Sequence, residues 1–125
     1  MKCKVTITGA DGKVHCSSGE YRATYGGCLL EYVYEGDRCE LSYDGNIFKQ
    51  KRRGKFDVDM VFAEGVETLC DFKYVALGLE CKLEIFTEKA NCKFDGCGCE
   101  TEIFYLLEGT VNTVCIKAET IKEIK

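Results

Sequence analysis

Apolar and polar residues alternate along most of this chain, in short segments separated by turns that contain glycine. The alternation is clearest in Phe56–Phe62, where apolar side chains take every second position and Asp57 and Asp59 lie between them. A period of two directs successive side chains to opposite faces of a β-strand. This segment therefore predicts a strand with one buried face and one face in water.

Three turns divide the central part of the chain, at Glu35-Gly36-Asp37, Asp44-Gly45-Asn46 and Arg53-Gly54-Lys55. Glycine adopts positive φ without a steric penalty, and Asp-Gly between alternating segments is a strong hairpin signal. The strands predicted around these turns are Cys28–Tyr34, Arg38–Tyr43, Ile47–Arg52 and Phe56–Phe62.

The same pattern continues on both sides of this stretch. The other predicted strands are Lys2–Thr8, Lys13–Ser17, Glu20–Tyr25, Val66–Phe72, Leu79–Thr87, Thr101–Leu107 and Val111–Ala118. A break is expected at Ser17-Ser18-Gly19 and a long loop over Glu88–Gly98. Regularly spaced short strands are typical of sandwiches and barrels, and closure of a sheet removes its exposed edges. We predict an all-β antiparallel meander closed into a barrel of about eight to ten strands. It forms one domain over residues 1–118, followed by a charged tail over 119–125.

The composition excludes several classes of partner. The chain has 125 residues and a formal net charge of −4, whereas proteins that bind nucleic acids need a basic surface. No stretch approaches the roughly 18 apolar residues of a membrane span, and the segment starting at Met1 lacks the apolar core of a signal peptide. We therefore predict a cytoplasmic protein with no nucleic-acid or membrane partner.

Ten cysteines are the unusual feature of the composition. In a reducing compartment disulfides do not persist, and free cysteine packs as a small apolar side chain. Cys92, Cys97 and Cys99 lie close together in the predicted loop and are the candidate metal ligands. Zinc prefers four ligands, commonly from paired C-x2-C motifs, so a fourth would come from elsewhere in the chain. Core packing is the favoured interpretation of the cysteines; metal binding and thiol redox chemistry are the alternatives.

Polar side chains on the predicted inner faces are the candidate ligand-binding residues. They are Tyr32, Tyr34, Tyr43, Gln50 and Arg52. Gln50 and Arg52 belong to this set if Phe48, on the same strand, points inward. A buried arginine must be paired, with a carboxylate of the barrel, tyrosine hydroxyls or an anionic ligand. A satisfied internal polar network is the alternative to a ligand site.

The residues that could carry catalysis are few. The single histidine, His15, lies in a short predicted strand, and no Cys–His pair is adjacent in the sequence. Asp57 and Asp59 are predicted to lie on a wet strand face, which is the pattern of solvated carboxylates and not of a buried catalytic pair. We predict no catalytic residues, no enzyme activity and no cofactor.

Four groups of residues occur in a characteristic order along the chain. They are Tyr32-Val33-Tyr34-Glu35, Arg53-Gly54 after a basic strand, Thr68 with Gly78-Leu79 and Thr87, and Tyr105-Leu106-Leu107. Together they resemble the DUF1934 family of small bacterial proteins, over roughly Lys4 to Ala118. The resemblance implies a calycin-like, and hence lipocalin-like, β-barrel. Because the family has no established function, it implies a fold and no reaction.

Two functions remain open at this point. The first is a barrel that binds a small anionic or amphipathic molecule, which predicts a cavity with convergent polar groups. The alternative is a non-enzymatic structural or interaction module with a filled barrel, which predicts an exposed apolar patch or sheet edge. The sequence leaves both a monomer and a homodimer open.

Overall fold

Ten strands form a closed antiparallel barrel in the computed structural model, which describes residues 1–121. Their bounds are β1 (Lys2–Gly9), β2 (Val14–Thr24), β3 (Gly27–Tyr34), β4 (Asp37–Tyr43), β5 (Phe48–Arg53), β6 (Phe56–Phe62), β7 (Glu67–Tyr74), β8 (Leu79–Asp95), β9 (Gly98–Leu107) and β10 (Thr110–Thr120). Each strand pairs with the next one along the chain, and β10 pairs with β1. The predicted closed barrel is therefore confirmed. Within residues 1–121, no helix is long and apolar enough to cross a membrane.

The break predicted at Ser17-Ser18-Gly19 is wrong, because β2 continues through it. Gly19 pairs with Cys3 of β1 and with Tyr32 of β3. A Cβ atom at this position would collide with the backbone oxygen of Glu31 and would lie 3.0 Å from the Val5 side chain. Glycine therefore allows a close approach of strands here, and it does not form a turn.

The loop predicted over Glu88–Gly98 is also wrong. Most of it is the second half of β8, which pairs with β9 as far as Asp95. A bulge between Thr87 and Lys89 shifts the register. The extra residue moves the inward positions from the odd series to the even series, so the alternation fails at this point in the sequence. This loss of alternation is the reason why the second half of β8 was predicted to be a loop.

The predicted charged tail starts too early. Strand β10 continues to Thr120, and Glu119 pairs with Lys4 on one side and with Gly98 on the other. The rest of the predicted tail, residues 122–125, lies outside the described residues.

The interior differs between the two ends of the barrel. We call the end with the β2–β3 and β8–β9 turns the closed end, and the end with the β1–β2 and β3–β4 turns the open end. Towards the closed end the interior is filled by aromatic and aliphatic side chains. For example, Tyr43 stacks on Phe48 with ring centroids 4.4 Å apart, and Phe48 is 1% exposed. The interior is therefore packed with side chains towards the closed end.

Candidate functional site

A cavity of about 770 Å³ occupies the open end of the barrel. Its apolar lining includes Ile7, Val58, Met60 and Val114. Its polar lining includes Lys13, His15, Tyr32, Tyr34, Gln50, Arg52, Tyr105 and Asn112. The cavity thus combines an apolar wall with several hydrogen-bonding groups from different strands.

The structure brings together four of the five predicted site residues. Tyr32, Tyr34, Gln50 and Arg52 all line the cavity. Gln50 and Arg52 were expected to face inward only if Phe48 does. The Phe48 ring is buried, so all three side chains lie on the inward face of β5. Tyr43 also points inward but lies at the closed end, because β3 and β4 form a hairpin and Tyr43 is at the end far from the hairpin turn.

Gln50 and Tyr32 form a hydrogen-bonded pair in the cavity wall. The Nε2 amide of Gln50 donates to the Tyr32 hydroxyl over 2.9 Å. Burial raises the pKa of Tyr32, so its hydroxyl stays protonated at neutral pH. Because this hydroxyl oxygen already accepts a hydrogen bond, its own proton is available to an acceptor in the cavity.

Arg52 is held by Asp37, a residue predicted only as part of a turn. The Arg52 Nε donates to the Asp37 carboxylate over 2.7 Å, and Asp37 is 4% exposed. The same carboxylate accepts the backbone N–H groups of Lys55 at 2.9 Å and Phe56 at 3.4 Å. The sequence contained a signal for the inward position of Asp37. This residue lies two positions before Cys39, and both belong to the inward face of β4.

Two aromatic rings lie close to the Arg52 guanidinium. Its central carbon lies 5.4 Å from the Tyr34 ring centroid and 5.2 Å from that of Phe56. His15 meets the Tyr34 ring edge-on, with centroids 4.8 Å apart. The guanidinium is therefore pre-positioned, with Nε towards Asp37 and a remaining edge of N–H donors. The absence of catalytic residues stays a prediction.

The Asp37 contacts predict a pH-dependent stability. The N–H of Lys55 and the Arg52 guanidinium hold the pKa of the Asp37 carboxyl below its ordinary value of 3.8. A carboxyl whose pKa is lower in the folded state contributes stability above its unfolded pKa. That stability is lost as the pH falls through the folded pKa. We expect Asp37→Asn to lower the urea midpoint at pH 6, and this difference from the unmodified protein to shrink steadily as the pH falls below about 4.

A matched control is Asp59→Asn. Asp59 lies on the exposed outer face and pairs with Arg53, so its replacement should change the urea midpoint little at any pH. A constant difference between the unmodified protein and the Asp37→Asn variant from pH 6 to pH 3 would contradict the assignment.

The three candidate metal ligands are not brought together. Cys97 is exposed at the β8–β9 turn, whereas Cys99 is buried and Cys92 half-buried at the closed end. Within residues 1–121, no group of three or more His, Cys, Asp or Glu side chains is arranged to hold a metal ion. Cys92 accepts a hydrogen bond from the Thr101 hydroxyl over 3.4 Å, and its sulfur lies 4.0 Å from that of Cys28 on β3.

Comparison with known proteins supports the fold but indicates no activity. No protein-family model and no curated protein matches the chain. Among solved structures, the chain is similar to the crystal structure of the ywiB protein from Bacillus subtilis. The two share 19% sequence identity and a TM-score of 0.76, over 97% of this chain and 89% of that one. Similarity at this level supports the barrel fold alone, and the resemblance to the DUF1934 family stays a prediction.

Proposed function

We propose that the barrel binds a small amphipathic molecule in the cavity at its open end. The observation that carries this proposal is a cavity of about 770 Å³ with both apolar and polar walls. Small-molecule sites typically occupy about 300–1,000 Å³, with a mainly apolar lining and a few fixed polar groups. The apolar part of the ligand would pack on Val58 and Met60, with its polar end at Arg52 and Tyr32.

The polar end favours a negatively charged or strongly accepting group. Asp37 accepts the hydrogen bond from the Nε of Arg52, and the Glu35 carboxylate lies 3.6 Å from one terminal nitrogen of the guanidinium. The other N–H donors of Arg52 are therefore left at the cavity wall. The Tyr32 hydroxyl adds another donor. Because Asp37 offsets the charge of Arg52, recognition would come from directed donors more than from net positive charge.

The resemblance to the DUF1934 family belongs with this proposal, since a calycin-like barrel is a suitable container for such a ligand. The free thiols favour a reducing compartment, so we expect the protein to act in the cytoplasm. A filled structural or interaction module, monomeric or dimeric, is the alternative outcome of the experiment below.

Native mass spectrometry of the protein isolated from its own cells tests the proposal. We expect a retained adduct at one molecule per chain, and its loss in Val58→Trp, which places an indole in the cavity. Val61→Trp is the control because Val61 lies on the outer face of the same strand. A mass equal to that of the bare chain would favour the interaction module. Retention of the adduct in Val58→Trp would place the ligand outside the cavity.

The anionic amphipathic dye 8-anilinonaphthalene-1-sulfonate tests the polar end. We expect Arg52→Gln to weaken dye binding about tenfold, the size of one lost charge-assisted hydrogen bond. Arg53→Gln is the matched control, since the next residue points outward and pairs with Asp59. Equal affinities of the two variants would contradict the role of Arg52, provided that circular dichroism shows both are folded.

A further inference from the structure

Two cysteines meet inside the closed end, where the proposed ligand cavity does not reach. Cys28 belongs to β3 and Cys92 to β8, and these strands are not neighbours in the sheet. Their sulfur atoms nevertheless lie 4.0 Å apart, so they approach across the interior of the barrel. The Thr101 hydroxyl lies 3.4 Å from the Cys92 sulfur and donates a hydrogen bond to it.

We propose that Cys28 and Cys92 form a two-thiolate site for a soft monovalent metal ion of the Cu(I) class. A metal ion about 2.3 Å from each of two sulfurs requires them to be about 3.8 Å apart at a tetrahedral angle and about 4.6 Å apart in line. At the observed 4.0 Å the angle at the metal would be about 120°, so binding in line would move the two sulfurs about 0.6 Å further apart. A disulfide would instead need the sulfurs at about 2.05 Å, half their separation.

The number of ligands selects the kind of ion. Zinc sites need four ligands, and residues 1–121 contain no suitable group of even three. Thiolates select soft ions, and Cu(I) accepts as few as two sulfur ligands. Cys92 is only half-buried, which gives the ion a route from solvent.

Binding would exchange protons for the metal. Two S–H bonds break, two sulfur–metal bonds form, and both protons leave to the buffer with no change in oxidation state. The Thr101 hydroxyl would then stabilise the thiolate that forms.

Anaerobic competition with the Cu(I) chelator bicinchoninate tests the site. The background protein carries serine at the exposed Cys16, Cys81 and Cys97, which removes adventitious thiols. We expect one Cu(I) per chain, and affinity lowered by about 100-fold or more in Cys28→Ser and in Cys92→Ser. Cys70→Ser is the matched control. Cys70 is a buried thiol on β7, and its replacement should change the affinity by less than about threefold.

Two results would overturn the site. One is an equal loss of affinity in Cys70→Ser. The other is retention of tight Cu(I) binding in the chain lacking both Cys28 and Cys92. Circular dichroism identifies folded variants, and Cys28→Ala replaces Cys28→Ser if the buried hydroxyl prevents folding. X-ray absorption gives a second readout, in which two sulfur neighbours support the site and three or four contradict it. Because Val58→Trp changes the opposite end, the outcome is independent of the proposed ligand.

Discussion

Replacement of Gly98 by alanine is expected to destabilise the barrel by roughly 3 kcal/mol. A Cβ atom at Gly98 would collide with the backbone oxygen of Ala118 and lie 3.1 Å from its carbonyl carbon. Both atoms belong to the neighbouring strand β10, where Glu119 pairs with Gly98. Since backbone cannot rotate away as a side chain does, β9 and β10 would have to separate next to the point where β10 meets β1.

Gly96→Ala is the matched control for this prediction. Gly96 lies two residues away in the β8–β9 turn, and no atom lies within 4 Å of a Cβ built there. We expect its urea unfolding free energy to stay within about 0.5 kcal/mol of the unmodified protein. Similar losses in both variants would show that turn flexibility, and not strand spacing, requires the glycines.

The second large effect is expected for Phe62→Ala, at about 3–5 kcal/mol. Phe62 has no exposed surface, and its ring lies 4.9 Å, centroid to centroid, from that of Tyr105. It also pairs with Phe48 across β5 and β6. Truncation removes the transfer free energy of a buried ring and leaves a void that the neighbouring strands cannot close.

Urea unfolding of Phe62→Ala should be compared with that of Phe104→Ala. Phe104 is adjacent to Tyr105 but lies on the outer face and is 37% exposed, so its loss should cost less than about 1 kcal/mol. Tyr105 lines the ligand cavity, so Phe62 supports the inner wall of the candidate site. A small effect at Phe62 would mean that the interior is loosely packed between the cavity and the closed end.

The alternation of side chains predicted most of the strands and their inward faces. Tyr32 and Gln50 were assigned to the interior in this way, and their side chains meet there. The prediction succeeded because strand periodicity and turn formation depend on neighbours in sequence. It failed at Gly19 and at the bulge after Thr87, where the backbone departs from a regular ladder.

The sequence by itself determined an all-β chain with alternating faces, because those properties follow from local steric and hydrophobic preferences. Only the tertiary structure decided which inward side chains meet. It paired Arg52 with Asp37, moved Tyr43 to the opposite end from Tyr34, and brought Cys28 to Cys92. These contacts depend on strand register and on closure of the sheet, which join residues distant in sequence, and a pattern of period two carries no information about them.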